Sequence, residues 1–475
     1  MSQPRHPDLH REHRQRLFDV LKDGEAALLF AAPHHIRSND SEYRYRPDSD
    51  LWYLTGWEQP DCAVLLRKGA EQPFLMFVQP RNPERETWEG RRPGPEGAQK
   101  AYGADAAYAI DELATRLPDL LMGVRTLHYA VAADAEHDQL VTAAIRAARR
   151  KARNSGLCVP DAFVDPTRVL HELRLFKSTA ELALMQRAAD ITGLAHCQAM
   201  AMTAPGVFEY ELEATLDGTF RRSGGVGPGY TTIVGGGANA TVLHYVENND
   251  VLRAGDLVCV DAGCEFDFYT ADVTRTWPVS GRFTQPQREL YELVLESQIA
   301  CIDMIRPGVT HKQIHDRAVR ILTAGMVRLG LLAYDRAAEE ALGDTLEHGL
   351  PEALPADASP EQVVDRLIET GRFKQYYMHG TGHWLGIDVH DVGSYVDDGD
   401  SRQTRPGMVQ TVEPGLYVPP DDERAPERFR GIGIRIEDDV LCTEGEPQVL
   451  TGSVPKSVAE IEALVGTALV SVAAR

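Results

Sequence analysis

The sequence predicts a two-domain chain of mixed α/β (α+β) class, with an α/β domain over residues 1–174 and a second domain over 175–475 built from duplicated halves. Three observations carry this reading. Short apolar runs alternate with helix-period segments through the first 170 residues. Ser178 followed by Glu181 is a capping-box signature that opens a long helix just past Leu170-His-Glu-Leu-Arg-Leu-Phe, which marks the boundary. Beyond it, Arg253, Gly255, Val260 and Asp261 recur at the same offsets as Arg405, Gly407, Val412 and Glu413. A shorter echo pairs His244 with His390, each eight residues past a glycine (Gly236, Gly382).

In the first domain, Pro7–Leu21 reads as an opening helix and Ala26–Ala32 as a buried strand. The polar, aromatic stretch Arg37–Gly56, which includes Asp40, ends in Leu51-Trp-Tyr-Leu and so is pinned to the core. Ala63–Arg67 and Phe74–Val78 are further strands, and Trp88 falls in a charged loop, Glu84–Arg92, as a packing or interface residue. Ala106–Leu121 and Ala135–Ala152 read as helices. No metal-ligand spacing and no nucleophile motif occurs in this part.

In the second domain an amphipathic helix is expected from Ser178 to about Ala204, and another over Phe208–Ser223. The glycine-rich stretch Gly224–Gly237 lacks a following Lys-Ser/Thr, so it reads as a tight approach to a strand beside a site, not as a phosphate cradle. Thr241–Tyr245 is a short strand ending at His244. Leu257–Val260 is apolar at every position, as in a strand buried on both faces, and Asp261 ends it. A carboxylate there is costly unless something pairs with it. Asp272 lies eleven residues on, along a returning strand.

Helices are expected over Gln285–Ile305 and His311–Leu329, then an exposed, partly helical insertion over 334–370. The stretch Tyr376–Gly393 sets His379, His383 and His390 among apolar residues and glycines. In an extended segment His379 and His383 share a face and His390 has the opposite parity, with Gly386 as a place to bend. Gly431-Ile-Gly-Ile-Arg435-Ile-Glu437 alternates with period two, isoleucines on one face and Arg435 and Glu437 on the other. A helix over Lys456–Leu464 closes the chain.

Charge and cysteine usage bound the function. The 49 basic and 71 acidic residues leave a formal charge of −22, which argues against a nucleic-acid backbone or an anionic membrane as partner. Seven scattered cysteines without a Cys-x-x-Cys pair fit a reducing, cytoplasmic setting. Arg5, Arg11, Arg14 and Arg16 precede no apolar core of a secretory signal, and Ala26–Ala32 is far short of a membrane span.

The acids and the base that end or line buried strands are Asp261, Asp272, His383, Glu413 and Glu437. Four carboxylates cannot share a water-poor site without cations, because repulsion and desolvation would force protonation. Two divalent metals resolve this. Oxygen-rich ligation with one imidazole suits Mn²⁺, with Co²⁺, Fe²⁺ or Zn²⁺ as alternatives. Such a pair, roughly 3.5–4 Å apart, serves peptidases and nucleases, and the acidic net charge weighs against the nuclease.

These segments resemble the five metal motifs of the pita-bread metallopeptidases: Asp261-x-Gly, Asp272-Val-Thr-Arg-Thr, His379-Gly-Thr-Gly-His383, Thr411-Val-Glu413-Pro-Gly and Gly433-Ile-Arg435-Ile-Glu437-Asp. Arg37–Gly56 and Leu170–Ser178 resemble the N-terminal domain and linker of the bacterial-type Xaa-Pro aminopeptidases (aminopeptidase P) within that family, with a longer insertion at 334–370. The resemblance implies a creatinase-like first domain, a pita-bread catalytic domain and two Mn²⁺ per subunit held by Asp261, Asp272, His383, Glu413 and Glu437. It implies release of the N-terminal residue from peptides with proline second, in a homodimer or homotetramer.

On the same resemblance, Glu413 is the proton shuttle, while His244 and His390 hydrogen-bond the substrate and the developing oxyanion. Arg435, Tyr417 and Asp40 orient the site, His379 walls the proline pocket, and Trp88 covers a neighbouring subunit's site. Two other readings share these residues: an Xaa-Pro dipeptidase (prolidase), and a non-catalytic binding member of the fold.

Overall fold

The apolar runs of the first 170 residues form one six-stranded sheet, in the spatial order Ala106–Ala109, Phe74–Val78, Ala63–Arg67, Glu25–Phe30, Thr126–His128, Ala162–Val164. This is a computed structural model that describes residues 5–342 and 352–468. The chain divides into two compact units, Met1–Arg174 and Leu175–Arg475. In the first, Glu25–Phe30 pairs antiparallel with Ala63–Arg67 and parallel with Thr126–His128. Leu28, Leu65, Leu75, Phe77 and Leu127 form its core with Leu117, Val141 and Ile145 from the helices. Arg37–Gly56 is anchored as expected of its apolar end: Asp48 caps the helix Ser49–Thr55, and Leu51, Trp52, Tyr53 and Leu54 are buried.

Two local expectations fail here. Ala106–Leu121 is not one helix: Ala106–Ala109 is a strand, parallel to Phe74–Val78 with Ala106 opposite Leu75, and only Leu113–Leu120 is α-helical. Alanine favours helix intrinsically, and an open sheet edge overrides that weak preference. Trp88 sits on a short helix, Pro83–Glu89, opened by the Asn82 cap, instead of in a loop.

In the second unit the Ser178 capping box is present: Glu181 N–H donates to Ser178 Oγ at 3.3 Å and Ser178 N–H to Glu181 Oε2 at 2.7 Å. The helix it opens, Thr179–Met202, buries residues around much of its circumference, from Leu184 and Met185 to Ala188, Ile191 and His196. It keeps one exposed stripe, Ala183, Arg187, Asp190 and Leu194, as an amphipathic helix does, but the stripe is narrow and most of the helix faces the core.

The duplicated pattern has a structural counterpart. Glu209–Arg222 is preceded by Phe208, which bridges Val251, and His311–Leu329 is preceded by Thr310, which bridges Gln403. Gly255 (φ +93°) and Gly407 (φ +89°) then turn the chain with positive φ. Each turn feeds a buried strand, Leu257–Asp261 or Val409–Val412, that pairs antiparallel with a later one, Thr274–Pro278 or Asp438–Leu441. The two halves thus deliver Asp261 and Glu413 from equivalent places.

Three expectations change in this unit. Thr241–Tyr245 is a turn after a 3₁₀ segment, because the short strand lies earlier, at Ile233–Gly236. The stretch 376–393 is a chain of bends with a single bridge, Trp384 to Gln410, and not a strand. The insertion is not simply exposed: Val364 and Leu367 on the helix Pro360–Glu369 are buried, and Arg366 pairs with buried Glu339 at 3.4 Å. Its residues 343–351 lie outside the described residues. Among the described residues, no helix is long and apolar enough to cross a membrane.

Candidate metal centre

Asp261 is the last residue of its strand, paired opposite Thr274 on one side and Ile233 on the other. Asp272 follows the short strand Tyr269–Thr270, and its N–H donates to both carboxylate oxygens of Asp439, at 3.3 and 3.1 Å. Glu437 sits between the strands Ile432–Arg435 and Asp438–Leu441, where its N–H donates to Thr274 O and it accepts from Thr274 Oγ1 at 2.6 Å. Glu413 leaves Val409–Val412 and accepts from Thr411 Oγ1 at 3.2 Å.

His383 joins these acids through one nitrogen. Its Nδ1–H donates to Trp384 O at 2.9 Å, which turns Nε2 toward the acids, where it becomes a ligand once its proton leaves. Nε2 lies 3.4 Å from Asp272 and 3.6 Å from Glu413. One ligand atom each from Asp272, His383 and Glu437 fall within 4.8 Å of one another. Asp261, Glu413, His244, His379, His390 and Arg435 line the same cavity, of about 520 Å³.

The electrostatics are those of acids crowded without a counter-charge. Burial raises the Glu437 carboxyl well above the usual range, and Asp272, Glu413 and Asp261 add to it. Burial and the neighbouring acids likewise lift Glu413 to about 7, against His383 and Arg435, and raise Asp272. For His383, burial lowers the pKa, yet Asp272 and Glu413 more than compensate and hold it near 9.

Arg435 ties three of these groups together. It donates to Asp261 Oδ2 at 2.6 Å, to Thr274 Oγ1 at 3.0 Å and to Tyr417 Oη at 3.0 Å. His379 donates Nδ1–H to Gly380 O, and burial holds its pKa near 4, so its neutral Nε2 accepts from Tyr417 Oη at 2.9 Å. His390 stands edge-on to His383, ring centres 4.3 Å apart. His244 is exposed at the cavity wall, close enough to depress the pKa of both His379 and His390.

Asp40 and Trp88 belong to the other unit. Asp40 is exposed beside a hairpin, Ile36–Ser38 with Ser41–Glu42, and lines a separate cavity with Glu42, Asp61 and Arg92. Trp88 is 88% exposed.

The sequence reading missed several supporting residues. Tyr230 Oη lies 2.6 Å from Asp261 Oδ1 and 2.5 Å from Asp272 Oδ1, bridging the two acids. Its only sequence signal is its place in the glycine-rich stretch already read as close to a site. Behind Glu437, buried Arg275 donates to Glu437 O at 2.5 Å and to Asp438 at 2.7 Å, and Lys456 also donates to Asp438 at 2.7 Å.

This donor set fits a pair of divalent cations. Four carboxylates, three of them buried, crowd one another with too few counter-charges, and one imidazole turns a nitrogen toward them with its other nitrogen committed to a carbonyl. Asp261 is partly neutralised by Arg435.

Residues 183–444 match metallopeptidase family M24, and residues 10–128 match the aminopeptidase P N-terminal domain. The chain is 44% identical over 453 residues to the Xaa-Pro aminopeptidase of Escherichia coli (strain K12), covering 95% of this chain and 96% of that one. It is 43% identical over 454 residues to that of Haemophilus influenzae, with the same coverage. Among solved structures, Pseudomonas aeruginosa aminopeptidase PepP superposes with a TM-score of 0.89 at 42% identity, covering 98% of this chain and 99% of that one. A zinc-substituted E. coli aminopeptidase P in complex with product gives 0.86 at 42% identity, covering 99% of each chain.

Proposed function

The chain belongs to metallopeptidase family M24, and on that premise we propose that it is a dinuclear-metal exopeptidase releasing the N-terminal residue from peptides with proline second. The observation that carries this reading is the gathering of Asp261, Asp272, His383, Glu413 and Glu437 from both halves of the unit around one cavity. The Xaa-Pro aminopeptidases of E. coli and H. influenzae, similar over nearly their whole length, support the substrate class.

These five residues would hold two divalent cations, with Mn²⁺ the metal that best suits four carboxylates and one imidazole. When bound, the cations supply charge neutralisation and Lewis acidity toward the scissile carbonyl and water. Glu413, which lines the cavity beside His383, is the group to take a proton from water and return it to the leaving proline nitrogen. His244 and His390 stand on the cavity wall with ring nitrogens available to hydrogen-bond the substrate carbonyl as charge develops on it. Arg435 fixes Asp261 and Tyr417, and Tyr417 in turn fixes the ring of His379. His379 then offers a flat, neutral wall to the proline ring, and proline has no N–H that the site must satisfy.

The exposed Trp88 would reach toward a neighbouring subunit's site in a homodimer or homotetramer. The seven unpaired cysteines fit a cytoplasmic setting.

The test is a screen of the metal-free protein against Mn²⁺, Co²⁺, Fe²⁺ and Zn²⁺ with Xaa-Pro and Xaa-Pro-Yaa-Yaa substrates. Metal-dependent release of the first residue from the tetrapeptide is expected. Cleavage confined to the dipeptide would make the protein a prolidase, and no metal-dependent cleavage would leave a binding protein.

A further inference from the structure

A second cavity, of about 540 Å³, lies beside the metal centre and shares His379 and Gly380 with it as a common wall. Its lining differs in kind. Lys312 and Lys374 line it with His315, Tyr377 and Tyr395, and among the described residues no carboxylate does. The first two turns of the helix His311–Leu329 supply His311, Lys312 and His315, so the partial positive charge of a nineteen-residue helix is at this wall as well. Lys312 is paired with Asp316 at 2.6 Å. Lys374 is exposed, and among the described residues it has no acidic partner. Burial depresses the His315 pKa, Asp316 opposes the shift, and Lys312 and Lys374 add to it, which places both lysine charges close to the pocket.

This local positive field stands out in a chain of net charge −22, whose general field repels anionic peptides. An exopeptidase that accepts chains longer than a dipeptide must also lead the residues after proline away from the metal centre, past the group that walls the proline ring. His379 is that group in the reading proposed above, and this cavity lies on its other side.

We propose that the cavity between the first turn of His311–Leu329 and Lys374 is an anionic subsite that takes a carboxylate borne by the peptide after proline, with Lys374 its principal charge. The proposal rests on the aminopeptidase reading. The carboxylate can come from the C-terminus of a tripeptide or from an acidic side chain in third position, and both present the same chemistry to the lysine.

The experiment compares kcat/KM for four peptides: Ala-Pro-Ala with a free terminus, Ala-Pro-Ala-amide, Ala-Pro-Glu-amide and Ala-Pro-Gln-amide. The metal-loaded wild type is set beside K374Q and K374R. The wild type is expected to favour at least one carboxylate-bearing peptide over its neutral partner by about fivefold at low salt, with the preference shrinking at high ionic strength. K374Q should bring that ratio close to one, and K374R should keep it. The pair that shows the preference identifies the source of the carboxylate. A wild-type ratio near one for both pairs, or the same ratio in K374Q, overturns the subsite while leaving the peptidase reading standing. Failure of the wild type to cleave any of the four, the neutral amides included, overturns the peptidase reading and the subsite with it.

Discussion

Lys177 donates to Asp391 at 3.0 Å, and both side chains are 1% exposed. Lys177 lies in the segment just before the Ser178 cap, its N–H held by Gly407 O, and Asp391 directly follows His390. The pair pins the bend that presents His390 to the cavity. Gly386 is part of the same device, since a Cβ there would collide with the Asp391 carboxylate and with Gly386's neighbour Lys177. Removing Lys177 takes one charged donor from a buried carboxylate that has further contacts. K177M should therefore lose roughly 1.5–3 kcal/mol in chemical denaturation. The double variant K177M/D391L should recover part of that stability without recovering kcat/KM, if the pair also positions His390.

Tyr230 can donate its single hydroxyl proton to only one acid at a time, yet it sits within hydrogen-bond distance of both Asp261 and Asp272. Its one proton is shared between two neighbouring acids in turn, which eases their close approach. Y230F should fold normally, because the ring remains to fill its place. Metal affinity or turnover should fall by about tenfold or more, the usual effect of losing a hydrogen bond to a ligand. Isothermal titration of metal into the metal-free variant measures the first and steady-state kinetics the second.

How much of this was legible in the residues follows from where the physics is local. Asp261 announces itself because it ends the apolar run Leu257–Val260, where a carboxylate demands a partner, and Glu413 because it stands at the matching offset of the repeat. Glycines at 255 and 407 mark matching turns because both require positive φ. Tyr230 was not legible, because its role depends on two acids 31 and 42 residues away. Ala106–Ala109 misled because its strand state comes from pairing with Phe74–Val78 and not from its own composition. His244 lies on a turn and not on a strand, so alternation could not say where it faces.

Glu437 is expected to destabilise the metal-free protein. It is buried among Asp272, Glu413 and Asp261, and its carboxyl is driven toward the protonated form. Glutamine keeps the acceptor for Thr274 Oγ1 and removes the charge. Metal-free E437Q should melt higher than metal-free wild type at pH 8, by about 1–2 °C for each kcal/mol of relieved repulsion. Added Mn²⁺ should raise the wild-type melting temperature and leave that of E437Q nearly unchanged. Differential scanning calorimetry with and without metal reads both. A lower melting temperature for the metal-free variant would show that the acids are not the source of strain.

The acid limit of the N-terminal unit is set in part by His10. Its Nδ1 donates to Tyr53 O at 3.1 Å and its ring stands edge-on to Trp52, with centroids 4.9 Å apart. Burial lowers its pKa to about 3. The hydrogen bond to Tyr53 opposes the shift, and His13, Arg14 and His6 add to it. The folded pKa is thus below the unfolded value of about 6.5, so the unfolded chain binds the proton more tightly. The neutral ring contributes its stability fully above about pH 6.5, and the contribution is lost as pH falls from there toward 3. At pH 4.5 the loss is roughly 3 kcal/mol. H10F retains the apolar contact with Trp52 and leaves Tyr53 O to His13, which donates to it at 2.8 Å. Urea denaturation at pH 7 and pH 4.5 should show a smaller pH dependence in H10F than in the wild type. Equal pH dependence in the two proteins would assign the acid sensitivity to other groups.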